Sequence, residues 1–338
     1  MSEADSDLET TTMRKWYIVV MLIAVCIAAV TGQAAQEAIS ADQLTVRMAV
    51  MQGPSGFGTV ALMKNDGRLD DRTSIDVAVY PSPNEVIARL ANGELDFAAL
   101  PTNVAANLFA KGVGVKTAAI TGEGMLLLLT TDASITEFSD LANRKISIPG
   151  AGSTPDQMTR IMTTALGYDY EQDVNLDYSI ASPAQLAQML IAEKVDLAVL
   201  PEPFVSMVMT RSEKAIPLLD IQMLWYALTG IENYPMTVIV VSDAFVEEQA
   251  DRLPLVMDAI EDSIEWVVAN PEEAGSMIEE AGIMKAAIAV PAIPRLNLVF
   301  KTANEGFDSM DMYLKVLYGF DSSSIGGSVP DESFYLAY

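Results

Sequence analysis

Histidine is absent from this 338-residue chain, and cysteine occurs once, as Cys26. Without imidazole there is no Ser-His-Asp or Cys-His nucleophile, and no zinc site of His and Cys ligands. A single thiol closes no disulfide within the chain. Carboxylate-only chemistry and oxygen-ligated Ca²⁺ or Mg²⁺ sites survive these exclusions. No pair of acids stands at a spacing suited to acid–base work, however, and neither a metal nor a cofactor is expected.

Basic residues are scarce as well. Lys and Arg number 20 against 46 Asp and Glu, a net charge of −26. Glu3, Asp5, Asp7, Glu9, Arg14 and Lys15 give the first 34 residues −2, which leaves −24 on the remainder. Such a surface repels phosphate backbones and anionic headgroups, so nucleic acid is excluded as a partner. The excess could recruit cationic solutes, but reads rather as a solvated acidic coat suited to salty surroundings, since net charge speaks to solubility more than to sites. Aromatics make up only 7% of the chain, but 51% is apolar and 20% charged, the balance of a globular protein long enough for two domains.

A long apolar run is also missing. Trp16 to Val30 spans 15 residues, short of the roughly 20 that cross a bilayer. Arg14 and Lys15 precede it and the small, polar stretch Thr31 to Ala35 follows, the layout of a secretory signal. Residues 1–34 are therefore read as a signal peptide or N-terminal anchor. Val25 is bulkier than the small residue that precedes a lipidated cysteine, so cleavage after Ala34 or retention as a tether is favoured over lipidation of Cys26. The chain is expected to be exported, to the periplasm or the outer face of the membrane.

What is present is an alternation of strands and helices. Thr45–Val50, Ile75–Tyr80 and Asp96–Leu100 read as strands, with helices from about Thr59 to Asn65 and from Pro83 to Ala91. Asn92-Gly93 closes the second helix with residues tolerant of the left-handed conformation. The alternation argues for a parallel sheet built from βαβ units. The pattern then recurs. Residues 82–101 align without gaps to 182–201, with Ser, Pro, Leu, Asp, Ala, Leu and Pro identical, seven of twenty, where about one match is expected by chance. A second strand–loop–helix, Lys145 to Asp156, precedes the second copy. Two similar α/β lobes in tandem follow, 44–128 with 237–320 as the first, 129–236 as the second, and 321–338 as a polar tail. Met125–Thr130 and Met236–Val241 are the expected crossings between them.

In parallel α/β sheets, ligands sit beyond the carboxyl ends of the strands. Five loops fill that place: Gln52–Gly58, Pro101–Asn103, Thr121–Gly124, Pro149–Pro155 and Pro201–Phe204. The first carries Gln52, Pro54, Ser55, Gly56 and Phe57, and the fourth Ser153 and Thr154. Glycine lets backbone approach a ligand, and a hydroxyl with free amides at a helix start can hold an oxygen. Taken singly, these hydroxyls read as helix caps; taken together, in two lobes, they read as a cleft. Thr102, Asn103 and Gly122 belong to the same set. Glu202, between two prolines, reads equally as a ligand partner or a solvated turn residue, and Glu123 is similar. Trp225 or Tyr234 could stack on a planar ligand, though most aromatics are core.

Gln52-Gly-Pro-Ser-Gly56, Asn92 to Asn103 and Asp196 to Phe204 resemble the solute-binding proteins of the nitrate/sulfonate/taurine and thiamine-pyrimidine type, and Ser324 to Tyr335 looks like one branch of that group. The resemblance spans about residues 44–335. It implies the type II periplasmic-binding-protein fold, two α/β lobes joined by two hinge crossings; the protein is expected to be a monomer and to catalyse nothing. It also implies a small organic solute held by the five loops, and an ABC permease with its ATPase as partners. Pyrimidine-phosphate members use histidine, which this chain lacks. A solute sensor for a membrane receptor, or a carboxylate-dependent enzyme on the same fold, are the other readings.

Overall fold

The computed structural model describes residues 43–170 and 172–337. Cys26 and the whole N-terminal address lie outside the described residues. The described residues divide into two units, 43–45 with Asp70–Ser74, and Val46–Leu69 with the described residues from Ile75 onward. In the described part of the smaller unit, the Leu44 amide donates to the Arg72 carbonyl at 2.8 Å. Asp70 Oδ1 accepts from the amides of Arg72 and Thr73 at 2.7 and 2.6 Å, an Asx turn.

Eleven strands are described: β1 (Leu44–Met51), β2 (Thr73–Tyr80), β3 (Phe97–Pro101), β4 (Val115–Glu123), β5 (Leu126–Thr130), β6 (Lys145–Ser147), β7 (Asn175–Asp177), β8 (Leu197–Pro201), β9 (Ile216–Asp220), β10 (Pro235–Ser242) and β11 (Leu298–Thr302). They form two sheets, of order β11-β4-β10-β3-β1-β2 and β7-β6-β8-β5-β9. The two copies of the repeat end in different sheets, β3 in the first and β8 in the second. Each is preceded by a helix with proline in its first turn, Pro83–Ala91 and Pro183–Ile191, where the missing N–H costs nothing.

The wholly parallel sheet expected from the alternation is not what forms. β1 and β3, and β6 with β7 and β8, run parallel. β10, though, lies antiparallel between β3 and β4, and β5 lies antiparallel between β8 and β9. The reason is topological. A strand that arrives from the other sheet enters its neighbours from the opposite end and needs no crossover helix to pair. The strands leave their sheets at Gly124-Met125, between β4 and β5, and return at Tyr234, before β10.

Other expectations shift locally. The helix placed at 59–65 is a short helix Pro54–Gly58 followed by a kinked 3₁₀ segment Val60–Gly67, with Asn65 and Asp66 left-handed. β7, β9 and β11 have no counterpart in the sequence reading, and of β4 only its end, at the loop Thr121–Gly124, is placed there. Val115-Lys-Thr-Ala-Ala-Ile-Thr-Gly-Glu is buried along almost its entire length, so it lacks the alternation that marks a half-exposed strand. The helix Leu253–Ala269 packs on Pro54–Gly58, where the Ser263 hydroxyl donates to the Gly58 carbonyl at 2.8 Å. One apolar cluster holds residues of both sheets, among them Ala49, Ile120, Leu128 and Ile146.

Residues 321–337 are not a loose polar tail. Ile325 and Phe334 are fully buried, Phe334 against Phe109 with ring centroids 5.2 Å apart. The Leu336 amide donates to the Thr117 carbonyl at 2.9 Å, alongside β4. The polar residues between those anchors cap local turns, as Asp331 does for Ser333. Phe334→Ala is therefore expected to lower unfolding stability by about 3–5 kcal/mol, read by urea denaturation. A loss under about 1 kcal/mol would show the tail to be an appendage.

Candidate functional site

The loop after β1 folds back on its own strand. Ser55 Oγ accepts from the Met51 amide at 3.1 Å and donates to the Met51 carbonyl at 3.4 Å. A Cβ at Gly56 would stand 2.8 Å from that carbonyl, which is why glycine occupies the position. Gln52 is exposed and Pro54 half-buried at the helix start, while Phe57 is a core residue among Val60, Met125 and Val267. The Ser55 hydroxyl thus closes a loop, and the Phe57 ring faces the interior.

At the end of β3, Thr102 Oγ1 donates to the Pro235 carbonyl at 2.9 Å, joining β3 to the start of β10. Asn103, beside it, is buried with Oδ1 unpartnered. At the end of β4, Gly122 packs against Met125 and Thr237. Thr121 Oγ1 is buried without a partner. Glu123 is not a solvated turn residue: it is buried and paired to Lys301 Nζ at 2.5 Å. Its amide donates to the Asn297 carbonyl at 3.1 Å. Glu202, at the end of β8, is likewise 1% exposed, with Oε1 3.0 Å from Arg295 Nε. Its Oε2 accepts from the Ser206 amide at 2.9 Å. Burial raises the Glu202 carboxyl above the usual carboxylate range, against the pull of Ser206 and Arg295.

In the second sheet, Ser153 caps the helix Thr154–Ala165. Its hydroxyl accepts from the Asp156 amide at 3.4 Å and donates to the Gly150 carbonyl at 2.7 Å. Asp156 reaches back to the Gly152 amide at 2.7 Å, so the loop is held at both sides of its tip. Thr154 is buried and approaches the Tyr313 hydroxyl, without the geometry of a closed hydrogen bond.

Three rings converge on this region. Trp225 comes from the helix Ile221–Thr229, Tyr234 from the return to β10, and Tyr313 from the helix Phe307–Phe320. Tyr234 and Tyr313 stack at 5.8 Å and 20°, and Trp225 meets both edge-on at 5.6 and 5.8 Å. All three are fully buried, and Trp225 Nε1 and both tyrosine hydroxyls have no partner. Burial holds both phenols neutral, so each remains a donor. Gln222 Nε2 donates to the Glu232 carbonyl and to Asn233 Oδ1. That fixes its amide and aims Oε1, unpartnered, at Gly124. The arrangement offers one indole donor, two hydroxyls and one carboxamide acceptor around apolar faces.

The structure therefore brings Trp225, Tyr234 and Thr154 together. Ser55, Thr102 and Ser153 carry hydroxyls already satisfied by their own loops or by β10. Tyr313, Gln222, Lys301 and Arg295 have no signal in the sequence reading. They lie far along the chain on helices or strands of ordinary pattern, and only tertiary packing places them here.

The profile of the NMT1/THI5-like family matches residues 72–274. No curated protein sequence matches the chain. Among solved structures it is similar to an ABC transporter protein from Parabacteroides distasonis, with 25% identity and a TM-score of 0.73, over 86% of this chain and 98% of that one. It is also similar to the periplasmic aliphatic sulphonate-binding protein SsuA of Escherichia coli, with 14% identity and a TM-score of 0.71, over 87% and 92%. A third is the periplasmic nitrate-binding protein NrtA of Synechocystis, with 14% identity and a TM-score of 0.56, over 74% and 69%. At 14% identity, the last two bear on the fold alone.

Two substitutions test the geometry. A Cβ at Gly124 would sit 2.4 Å from the Tyr234 ring as well as on Gln222 Oε1, so Gly124→Ala should cost about 1–3 kcal/mol by overpacking. Adding Gln222→Ala should not restore it, because the ring remains; full recovery would place the clash on the amide alone. The second substitution concerns pH. With its folded value raised, the neutral Glu202 acid stabilises the fold fully below the unfolded value of about 4.3, and that contribution is lost as pH rises through the folded value. Glu202→Gln, neutral throughout, should gain stability relative to the parent across that window and hold a constant offset above it. Urea unfolding at a series of pH values reads this directly, and an offset flat from acid to neutral pH would count against a raised Glu202.

Proposed function

The chain belongs to the NMT1/THI5-like family, and from that premise we propose that it is an extracytoplasmic solute-binding protein delivering a small organic molecule to an ABC importer. The architecture supports this: two α/β sheets joined by two crossings, as in the type II periplasmic-binding fold. So do the solved relatives, one an ABC transporter protein and two periplasmic binding proteins. The N-terminal Arg14-Lys15 and apolar run supply an export address, and the permease and its ATPase are the partners, with the binding protein acting as a monomer. The protein binds and releases; it performs no covalent chemistry. Glu123 and Glu202 are each held in an ion pair, with Lys301 and Arg295.

The observation that carries the reading is the set of polar atoms left buried and unpartnered among the three rings. Such atoms cost about 1–3 kcal/mol each unless something completes them, and a solute entering between the sheets would do so. Trp225 Nε1 asks for an acceptor and Gln222 Oε1 for a donor, while the ring faces suit a flat apolar part. The two cations that reach the strand ends, Lys301 and Arg295, are each neutralised by a carboxylate. The favoured solute is therefore neutral, zwitterionic or singly charged, with a planar portion near Trp225 and Tyr234 and both donor and acceptor groups.

Mass spectrometry of whatever co-purifies, released by denaturing the protein, identifies the solute. Calorimetry with that molecule should then show about a 5- to 100-fold weaker Kd for Tyr313→Phe and for Trp225→Phe, the loss of one buried hydrogen bond each. Unchanged affinity in both would move the site elsewhere. A preparation that holds nothing, and responds to no solute in a broad thermal-shift panel, would sink the reading.

A further inference from the structure

The helix Thr154–Ala165 starts at the loop beside Tyr313, and its first turns hold more than a cap. Asp156 is 1% exposed, yet it carries three hydrogen bonds beyond its own backbone. Oδ2 accepts from the Gly152 amide, and Oδ1 accepts from Arg160 Nε at 2.7 Å and from the Tyr178 hydroxyl at 2.6 Å. Arg160 leads outward from that acid. Its Nη2 donates to the Tyr178 oxygen at 3.0 Å. Its guanidinium lies 5.1 Å from the Tyr170 ring centroid and 5.8 Å from that of Tyr178. Its outer side lines an open pocket of about 530 Å³ with Asn143, Asn175 and Gln172.

Tyr170 continues the chain of contacts. Its ring rests on Phe320, centroids 5.6 Å apart. Phe320 and Tyr313 belong to the same helix and stand about two turns apart, hence on one face. That helix is touched at two points by residues from the second sheet's side: Thr154 at Tyr313, and Tyr170 at Phe320. One guanidinium reaches toward both points: it binds Asp156, which accepts from the Gly152 amide in the loop before Thr154, and its carbon lies 5.1 Å from the Tyr170 ring centroid.

We propose that Arg160 is a positioning residue for the binding site, tying the loop Pro149–Thr154 and the Tyr170 ring together so that both seat against the helix Phe307–Phe320 and keep Trp225 covered. The role needs a planar fork. Nε and Nη2 reach two oxygens, Asp156 Oδ1 and the Tyr178 hydroxyl, while the guanidinium carbon lies over the Tyr170 ring. A lysine keeps the charge beside Asp156 but offers a single point, so it cannot hold both arms at once. An ion pair that served the helix alone would need neither Tyr170 nor the fork. The inference rests on reading the space between the sheets as the solute site, but its test needs no solute.

In a full-length chain with Trp16 and Trp266 changed to Phe, Trp225 is the remaining indole of the three, and acrylamide quenching reports its exposure. Arg160→Lys, Tyr170→Ala and Phe320→Ala should each raise the quenching constant at least about threefold, with the urea midpoint near that of the parent. Tyr170→Phe, which keeps the ring, should quench as the parent does. Unchanged quenching in Arg160→Lys overturns the proposal, and so does a rise that only follows a loss of global stability. The absence of any bound solute would instead undo the proposed function and leave this result standing.

Discussion

The chain passes between its two sheets twice, and the two passages pack on one another. Gly124 makes the first, between β4 and β5, and Tyr234 makes the second, just before β10. A single added carbon at Gly124 would stand within 2.4 Å of the Tyr234 ring, so the passages can be this close only because one lacks a side chain. Much else follows from that closeness. β10 is delivered to the gap between β3 and β4, where it must run antiparallel. Tyr234 is carried into the interior, where its ring finds Trp225 from one side and Tyr313 from the other. Thr102 then fastens the arrangement by binding the carbonyl of Pro235, the residue after Tyr234.

The polar groups around this junction divide into two kinds, and the division bears on function. Glu123 and Glu202 are buried charges, and each has a partner whose own side chain remains partly in water, Lys301 and Arg295. Leaving either acid unpaired would cost about 3–5 kcal/mol, so these contacts are obligations of the fold. The indole N–H, the two phenols and the Gln222 oxygen carry no charge, and each stands unmet at a cost of about 1–3 kcal/mol. On the proposed reading, a neutral solute would complete these four groups. Selectivity would follow for the same reason, since a molecule lacking the matching donor or acceptor would leave the cost in place.

The duplicated helix and strand at 82–101 and 182–201 were legible because each holds a compact pattern: a serine and proline at the helix start, and a short apolar strand stopped by proline. The secondary structure they encode is local, so the residues that specify it are neighbours in sequence. β4 was not legible, because a strand covered on both faces shows no alternation, and the mixed sheet order was not, because strand direction depends on where the chain last came from. The site was legible only in part. Loops at strand ends could be located, but whether a hydroxyl there faces a ligand depends on its own backbone. Ser55 and Ser153 turn inward to their loops, while Tyr313 and Gln222, on helices of ordinary amphipathic pattern, supply open groups.

The acidic surface acts on a different step from the junction. A net −26 spread over the chain changes how often a charged solute arrives, and salt weakens that influence over about 8–10 Å. It has little leverage on a group buried among three rings. Arrival and retention are therefore governed by separate parts of the molecule. The coat disfavours the approach of anions, and on the proposed reading the open neutral groups would hold what enters by hydrogen bonds and ring contact. On that reading, release requires that Trp225, 1% exposed and edge-on to Tyr234 and Tyr313, be uncovered by moving side chains. Interactions of that size can be broken and remade without disturbing either sheet, which a protein that must give up its cargo requires.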